Sequence, residues 1–229
     1  MNDEQALDFN FWPSFADMML AIVFVLVLVI ALFATALTFT IDTETIRERQ
    51  EAVLMQILQD SDGTLNTMDA STVRISQQDS ELMTIKTDIQ LQRISFSDNV
   101  LFETDRFDLT KRGQRVLGIV GNAVKGQIDN LSQIDIEGHT DTWLTRNYSK
   151  GNLELGAFRA MAVFEFLNDS VGIDPRHSLM SAISYGEYKP VGRVEDSTFG
   201  ADRLNAANDT QAERASNRRV ELVLRYRHL

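Results

Sequence analysis

Asp17 is the first residue whose type and setting could do chemistry. It stands directly ahead of Met18 to Ile41, 24 residues without a charge. A carboxylate at the edge of such a run can take up and release a cation, and an acid sunk into a bilayer is a functional candidate by default. The same residue could instead serve a helix start. Ser14 and Asp17 have the spacing of a capping box behind Pro13, and a carboxylate in a first turn suits the helix dipole. On these residues alone both readings stay open. Further along, Gly138-His139-Thr140-Asp141 closes a short predicted strand, and strand ends often carry ligand sites. Asn152, Leu155 and Arg159 open the next predicted helix, and Asn217-Arg218-Arg219-Val220 leads into the last strand. Taken alone, Asp141 and Arg159 could be a surface ion pair. His139 reads as a structural hydrogen-bonder. No nucleophile–base set or metal-ligand spacing stands out, so neither hydrolase activity nor a metal or other cofactor is expected. Asp60-Ser61-Asp62-Gly63 begins like a calcium loop but lacks the closing Glu, and reads as a turn.

The elements that must position these residues start with the apolar run itself. As a helix, 24 residues span roughly 36 Å at 1.5 Å per residue, more than the ~30 Å core of a bilayer. Residues 16–41 therefore read as a transmembrane helix behind a short N-terminus, 1–15. Trp12 is an interfacial anchor, and a helical Asp17 would lie roughly 7 Å deeper. The first sixteen residues hold Asp3, Glu4 and Asp8 and no Lys or Arg, which argues against a cleaved signal peptide. Arg47 and Arg49 follow the span, so the positive-inside rule would place the C-terminus in the cytoplasm.

From Asp42 to Gln59 the pattern stays helical, with Ile46, Val53, Leu54, Ile57 and Leu58 on one stripe. Residues 42–88 read as a stalk or linker whose stripe meets a partner, with a solvated linker helix as the alternative. Residues 64–80 are polar and indistinct. Residues 82–85 form a short strand, and Ile89, Leu91, Ile94 and Phe96 read as another with a slip or bulge. Helices are expected over 109–127, 153–168 and 206–216, and strands over 134–136, 179–184 and 219–226. Strands alternating with helices over 89–229 predict an α+β domain, a two-layer α/β sandwich. The chain has 229 residues, a net charge of −11 and no cysteine. That balance argues against nucleic-acid binding, and disulfides and thiolate metal sites are excluded.

The three motifs, in their order, resemble the OmpA-like peptidoglycan-binding domain over roughly 96–227. That family carries a GHTD-type strand end, an NxxLSxxRAxxVxxxL helix and an NRRV strand. Here the helix reads Asn152-x-x-Leu155-Gly156-x-x-Arg159-Ala160-x-x-Val163-x-x-x-Leu167. Gly156 stands where Ser is usual, and the loop between Asp141 and Asn152 is longer. The resemblance implies that Asp141 and Arg159 grip the zwitterionic end of diaminopimelate in a wall stem peptide. A carboxylate takes the ammonium, and a guanidinium forks onto the carboxylate. Thr140, Asn152 and Leu155 would line the site, and Arg218 would support it.

One span with an acid near its end, followed by this domain, resembles the MotB-type stator B subunits. Phe15-Ala16-Asp17-Met18-Met19 is similar to their membrane acid motif. Within them, the short chain, the Trp12-Pro13-Ser14 lead-in and the absence of a basic tail look more like the ZorB subunits of Zorya anti-phage defence systems. The resemblance implies a homodimer inside five MotA/ZorA-like multi-span subunits, with Asp17 carrying the driving ion and the C-terminal domain holding peptidoglycan. It also implies an inner-membrane protein with its N-terminus in the cytoplasm and its domain in the periplasm, against the charge count. Ala21, Phe24, Leu28, Ala31 and Thr35 lie near the Asp17 face and allow close packing. After Asp17 the span offers no side-chain oxygen until Thr35 and Thr38. This favours a proton over sodium, which wants several oxygen ligands. A flagellar-type stator and a passive wall anchor are the alternatives.

Overall fold

The computed structural model describes residues 12–61, 63–77, 80–145, 147–193 and 199–227. The chain divides into two compact units between Glu44 and Thr45. The first helix, α1 (Trp12–Ser61), contributes to both. In the first unit every residue from Trp12 to Thr40 is exposed. An 18-residue window there reaches a mean hydropathy of 3.2, with none of it buried in the chain. Among the described residues α1 is the one helix long and apolar enough to cross a membrane. A helix apolar on all sides satisfies its backbone internally and suits lipid. Thr35 and Thr38 donate their hydroxyls to the carbonyls of Leu32 and Ala34, at 2.9 and 3.0 Å. Pro13 and Ser14 are already helical, and no acid falls in the first turn from Trp12. The capping-box alternative for Asp17 is thus not realised, because Ser14 lies inside the helix and not at its cap.

In the second unit, one sheet holds seven strands in the order β1-β2-β3-β4-β7-β5-β6. They are β1 (Thr64–Thr67), β2 (Thr72–Gln77), β3 (Ser80–Thr87), β4 (Leu91–Ser97), β5 (Leu131–His139), β6 (Leu179–Gly186) and β7 (Arg219–Tyr226). Among the described residues only β5 and β6 pair in parallel. Between β4 and β5 come the short α2 (Asp98–Leu101) and α3 (Lys111–Gly126). After β5 comes α4 (Asn152–Glu165), prolonged by a π-helical turn over Phe166–Val171. The fold is the expected mixed α+β arrangement of sheet and helices.

Alternation builds the core. In β4, Gln92, Ile94 and Phe96 are buried and sit opposite Leu224, Leu222 and Val220 of β7. Val116, Leu117, Val120 and Val124 form the buried stripe of α3, and Thr110 caps that helix by accepting from the Gly113 N–H. Ala160, Val163 and Leu167 bury the corresponding face after β5. The helix expected over 206–216 is two helices, α5 (Ala201–Ala206) and α6 (Gln211–Asn217). Thr210 and Glu213 form a reciprocal capping box that restarts the chain as α6.

The segment expected as a stalk or linker, 42–88, is not separate from the domain beyond Glu44. Ile46, Val53 and Ile57 belong to the same buried cluster as Ile85, Ile94 and Phe96. The Gln50 side-chain N–H donates to the Asp88 carbonyl at 2.9 Å, and Gln92 returns a bond to the Gln50 carbonyl at 3.0 Å. The stripe is therefore covered by the chain's own sheet. Residues 64–77, indistinct in sequence, form the hairpin β1–β2. Ile89 falls in the turn between β3 and β4, which accounts for the apparent slip in the strand pattern.

Candidate functional site

The strand ends of β4, β5 and β7 bring one row of charges together. Asp98 begins α2 directly after β4, and its N–H donates to the Arg218 carbonyl at 3.0 Å. Asp141 follows β5, and Arg218 precedes β7. Arg159 comes from the middle of α4. Arg218 Nη1 lies 2.5 Å from Asp141 Oδ2, and Arg218 Nε lies 3.9 Å from Asp98 Oδ2. Arg159 Nη2 lies 2.9 Å from Asp98 Oδ1, and its Nε donates to the Arg106 carbonyl at 2.9 Å. The order is Asp141, Arg218, Asp98, Arg159, with signs alternating.

Burial sets the electrostatics. Burial pushes the Asp98 carboxyl above its usual range, against the pull of Arg159 and Arg218. The Arg159 side chain is 2% exposed. Desolvation lowers its proton affinity, and the Asp98 charge opposes that. Its guanidinium also lies 5.3 Å from the centre of the Phe102 ring. Arg218 is different, with a side chain 36% exposed. A cavity of about 510 Å³ opens beside Asp98 and Arg218, walled by Asn99, Phe102, Glu103 and Ala215. This pocket offers a carboxylate and an accessible guanidinium together, which suits a small zwitterion.

The expected site residues fall into place unevenly. Asp141, Asn152 and Arg218 meet directly, since the Asn152 amide donates to the Asp141 carbonyl at 3.0 Å. Arg159 joins them only through Asp98 and is already paired. Thr140 is buried, and its hydroxyl has no hydrogen-bond partner among the described residues. Its N–H donates to the Gly186 carbonyl at 2.9 Å. Leu155 is buried on α4, apart from the main apolar cluster. Sequence reasoning missed Asp98, the residue that links the two arginines. An acid at a strand end opening a helix was its only local signal. Asp17 lies in the other unit, exposed on α1.

Two glycines let α4 approach β5. A Cβ at Gly138 would sit 2.0 Å from the Gly156 carbonyl oxygen, and one at Gly156 would sit 2.5 Å from Ser184 Oγ. Ser184 uses that space to donate to the Leu153 carbonyl at 2.8 Å. This explains the departure at position 156, because a hydroxyl from β6 occupies the place a serine side chain would take. Gly156→Ser is expected to destabilise the second unit by about 1–3 kcal/mol, as overpacking does. Adding Ser184→Ala should recover part of the loss in thermal melts. Equal losses in the single and double variants would show that the Gly138 backbone is the obstacle instead.

Behind the site, Glu137, His139 and Glu221 have ligand atoms within 4.8 Å of one another. Both carboxylates are already engaged. Lys189 Nζ lies 2.9 Å from Glu137, Arg219 Nε 2.7 Å from Glu221, and Arg93 reaches both at 3.5 and 3.2 Å. Burial would raise Glu137, yet the approach of His139 and Lys189 and the charge of Arg93 bring it down to about 2. Burial lowers the proton affinity of His139, which stacks on Tyr185 with ring centres 5.4 Å apart. Three cations around two carboxylates oppose a further divalent ion. The cluster reads as a structural ion network under β5 and β7. His139 Nε2 approaches Glu137 to 3.4 Å, but neither ring nitrogen has a hydrogen-bond partner among the described residues, so the hydrogen-bonding role expected of His139 is not seen.

The OmpA family model matches residues 101–219, more than half of the chain, and the chain belongs to that family. No curated protein matches the sequence. Among solved structures, the fold is similar to a putative MotB like protein from Desulfovibrio vulgaris. That match has a TM-score of 0.58 at 21% identity and covers 82% of this chain and 94% of the other. It is also similar to the periplasmic domain of Helicobacter pylori MotB, with a TM-score of 0.51 at 21% identity, covering 67% of this chain and 87% of that one.

Proposed function

We propose that this chain is the wall-anchored B subunit of an ion-driven rotary motor in the inner membrane, not an enzyme. One observation carries the wall-binding half. In an OmpA-family domain, Asp141, Arg218, Asp98 and Arg159 alternate in charge beside an open cavity. The zwitterionic end of a diaminopimelate stem peptide fits that pattern, its ammonium toward a carboxylate and its carboxylate toward Arg218. Arg218 takes the role of accessible fork in this reading, with Arg159 holding Asp98 behind it. Thr140, Asn152 and Leu155 shape the floor through Asp141 and α4.

The wall lies outside the inner membrane, so the domain is periplasmic and the N-terminus cytoplasmic. Arg47 and Arg49 oppose this orientation in a simple charge count. Their place in the folded second unit weakens that objection, since folded domains cross largely regardless of charge. For the motor half, Asp17 carries the ion, a proton in preference to sodium. Its partners are a second copy of this chain and five MotA/ZorA-like subunits. Dimerisation draws on the resemblance alone, because the stripe at 46–58 is covered within the chain. The Trp12-Pro13-Ser14 lead-in favours a Zorya-type defence role over flagellar motility.

The test of wall binding is co-sedimentation of the full chain with cell-wall sacculi. Arg218→Ala should keep the fold, because this side chain is partly exposed, and lower retention about tenfold or more. Equal pelleting of variant and wild type would remove Arg218 from the site.

A further inference from the structure

Trp143 is 69% exposed and Leu144 83% exposed, two and three residues past the acid that Arg218 holds. The loop presenting them is pinned. The Trp143 N–H donates to Asp141 Oδ1 at 3.0 Å. Thr145 donates its hydroxyl to Asp105 Oδ1 at 2.5 Å, and the Tyr148 hydroxyl donates to the Asp105 carbonyl at 3.1 Å. One face of the indole is also fixed. The Arg214 guanidinium lies 4.9 Å from the ring centre. Arg214 is held in turn by the carbonyls of Asn208 and Asp209, at 2.7 and 2.6 Å. The ring is thus positioned on one side and open to solvent on the rest.

A large aromatic side chain held open beside a polar site has a surface to offer a ligand. A stem-peptide end gives charges and no flat apolar face. The glycan to which that peptide is bonded does give one, since a pyranose ring presents a slightly positive C–H face that complements the electron-rich face of an indole. The patch is small and flanked by Thr142, Thr145, Asn147 and Lys150. That setting is poor for membrane insertion or an apolar protein dock and good for sugar hydroxyls. We propose that Trp143 is a saccharide subsite, stacking on a sugar ring of the glycan strand while Asp141 and Arg218 hold the attached peptide. This inference rests on the wall-binding reading of the same site. It gives the extended loop between Asp141 and Asn152 a role in choosing intact wall over free peptide.

The test uses the full chain in lipid nanodiscs, in a Trp12→Phe background. The chain has two tryptophans, so Trp143 becomes the single fluorophore. The probes are the tripeptide L-Ala–D-Glu–diaminopimelate and the same tripeptide on its N-acetylglucosamine–N-acetylmuramic acid disaccharide. The disaccharide form should bind about tenfold tighter and shift Trp143 emission. Trp143→Ala, followed by calorimetry, should abolish that tenfold difference and leave tripeptide affinity unchanged. Equal wild-type affinities for both probes overturn the subsite and leave wall binding standing. So does an equal loss of both probes in Trp143→Ala, which would make the ring a support for Asp141. Quenching of Trp143 by brominated lipid, with no response to saccharide, assigns the loop to the membrane and also overturns it. If neither probe binds the wild type, the wall-binding reading fails and this inference falls with it.

Discussion

Cells carrying Asp17→Asn should make, insert and anchor the protein normally and lose all powered output. Asp17 is the one ionisable residue between Trp12 and Ile41. The structure removes the capping-box role that could have explained it, since helical residues already precede it from Trp12 onward. Asparagine keeps the size and polarity of the side chain but cannot carry the charge that a cation cycle needs. The expected result is a fall to the level of cells lacking the protein. The output to measure is phage resistance in the defence reading and swimming in the flagellar one. Sacculus binding serves as the control and should not change, because the site lies in the other unit. Full output from Asp17→Asn cells would end the motor assignment and leave the passive wall anchor.

Arg159→Ala should be the most destabilising single change in the second unit. The guanidinium is buried against Asp98, and removing it leaves a buried carboxylate with only the more distant Arg218. Breaking a buried pair in this way costs about 3–5 kcal/mol. Arg159→Lys keeps the charge but not the second bond to the Arg106 carbonyl, so it should fall between. The loss should depend on pH, and its sign follows from Asp98. Burial already raises that carboxyl above its usual 3.8, and without Arg159 it rises further. A group whose folded value is raised penalises the fold above that value, and the penalty is relieved as protonation occurs. The gap between wild type and Arg159→Ala should therefore narrow as pH falls from neutral toward the carboxylate range. Denaturation followed by circular dichroism at pH 7.5 and pH 5 reads this directly. A gap that stays constant or widens at low pH would show that Arg159 acts by packing alone. The variant also cannot test wall binding cleanly, and for that purpose Arg218→Ala is the better probe.

Much of this protein is written in local patterns. The apolar run before residue 41 announces its helix because a bilayer responds to composition, which no tertiary contact needs to supply. The β4 alternation at Ile94 and Phe96 and the α3 stripe at Val116, Leu117, Val120 and Val124 are periodicities of 2 and 3.6, and both were legible, whereas the buried Gln92 of the same strand was not. Asp141, Asn152, Arg159 and Arg218 stood out because three motifs kept their order. Other features needed the folded chain. Residues 64–67 read as polar because β1 is an exposed edge strand, and only its pairing with β2, and of β2 with β3, shows that 64–77 belong to a sheet. The stripe from Ile46 to Leu58 reveals an apolar face but not what covers it, and the sheet covers it instead of a second helix. Asp98 and Arg159 are 61 residues apart, and Asp141 and Arg218 are 77 apart. Which acid meets which arginine was decided by the side-by-side ends of β4, β5 and β7. Charge carries no periodicity along the chain, so the pairing exists only once the sheet has set those ends together.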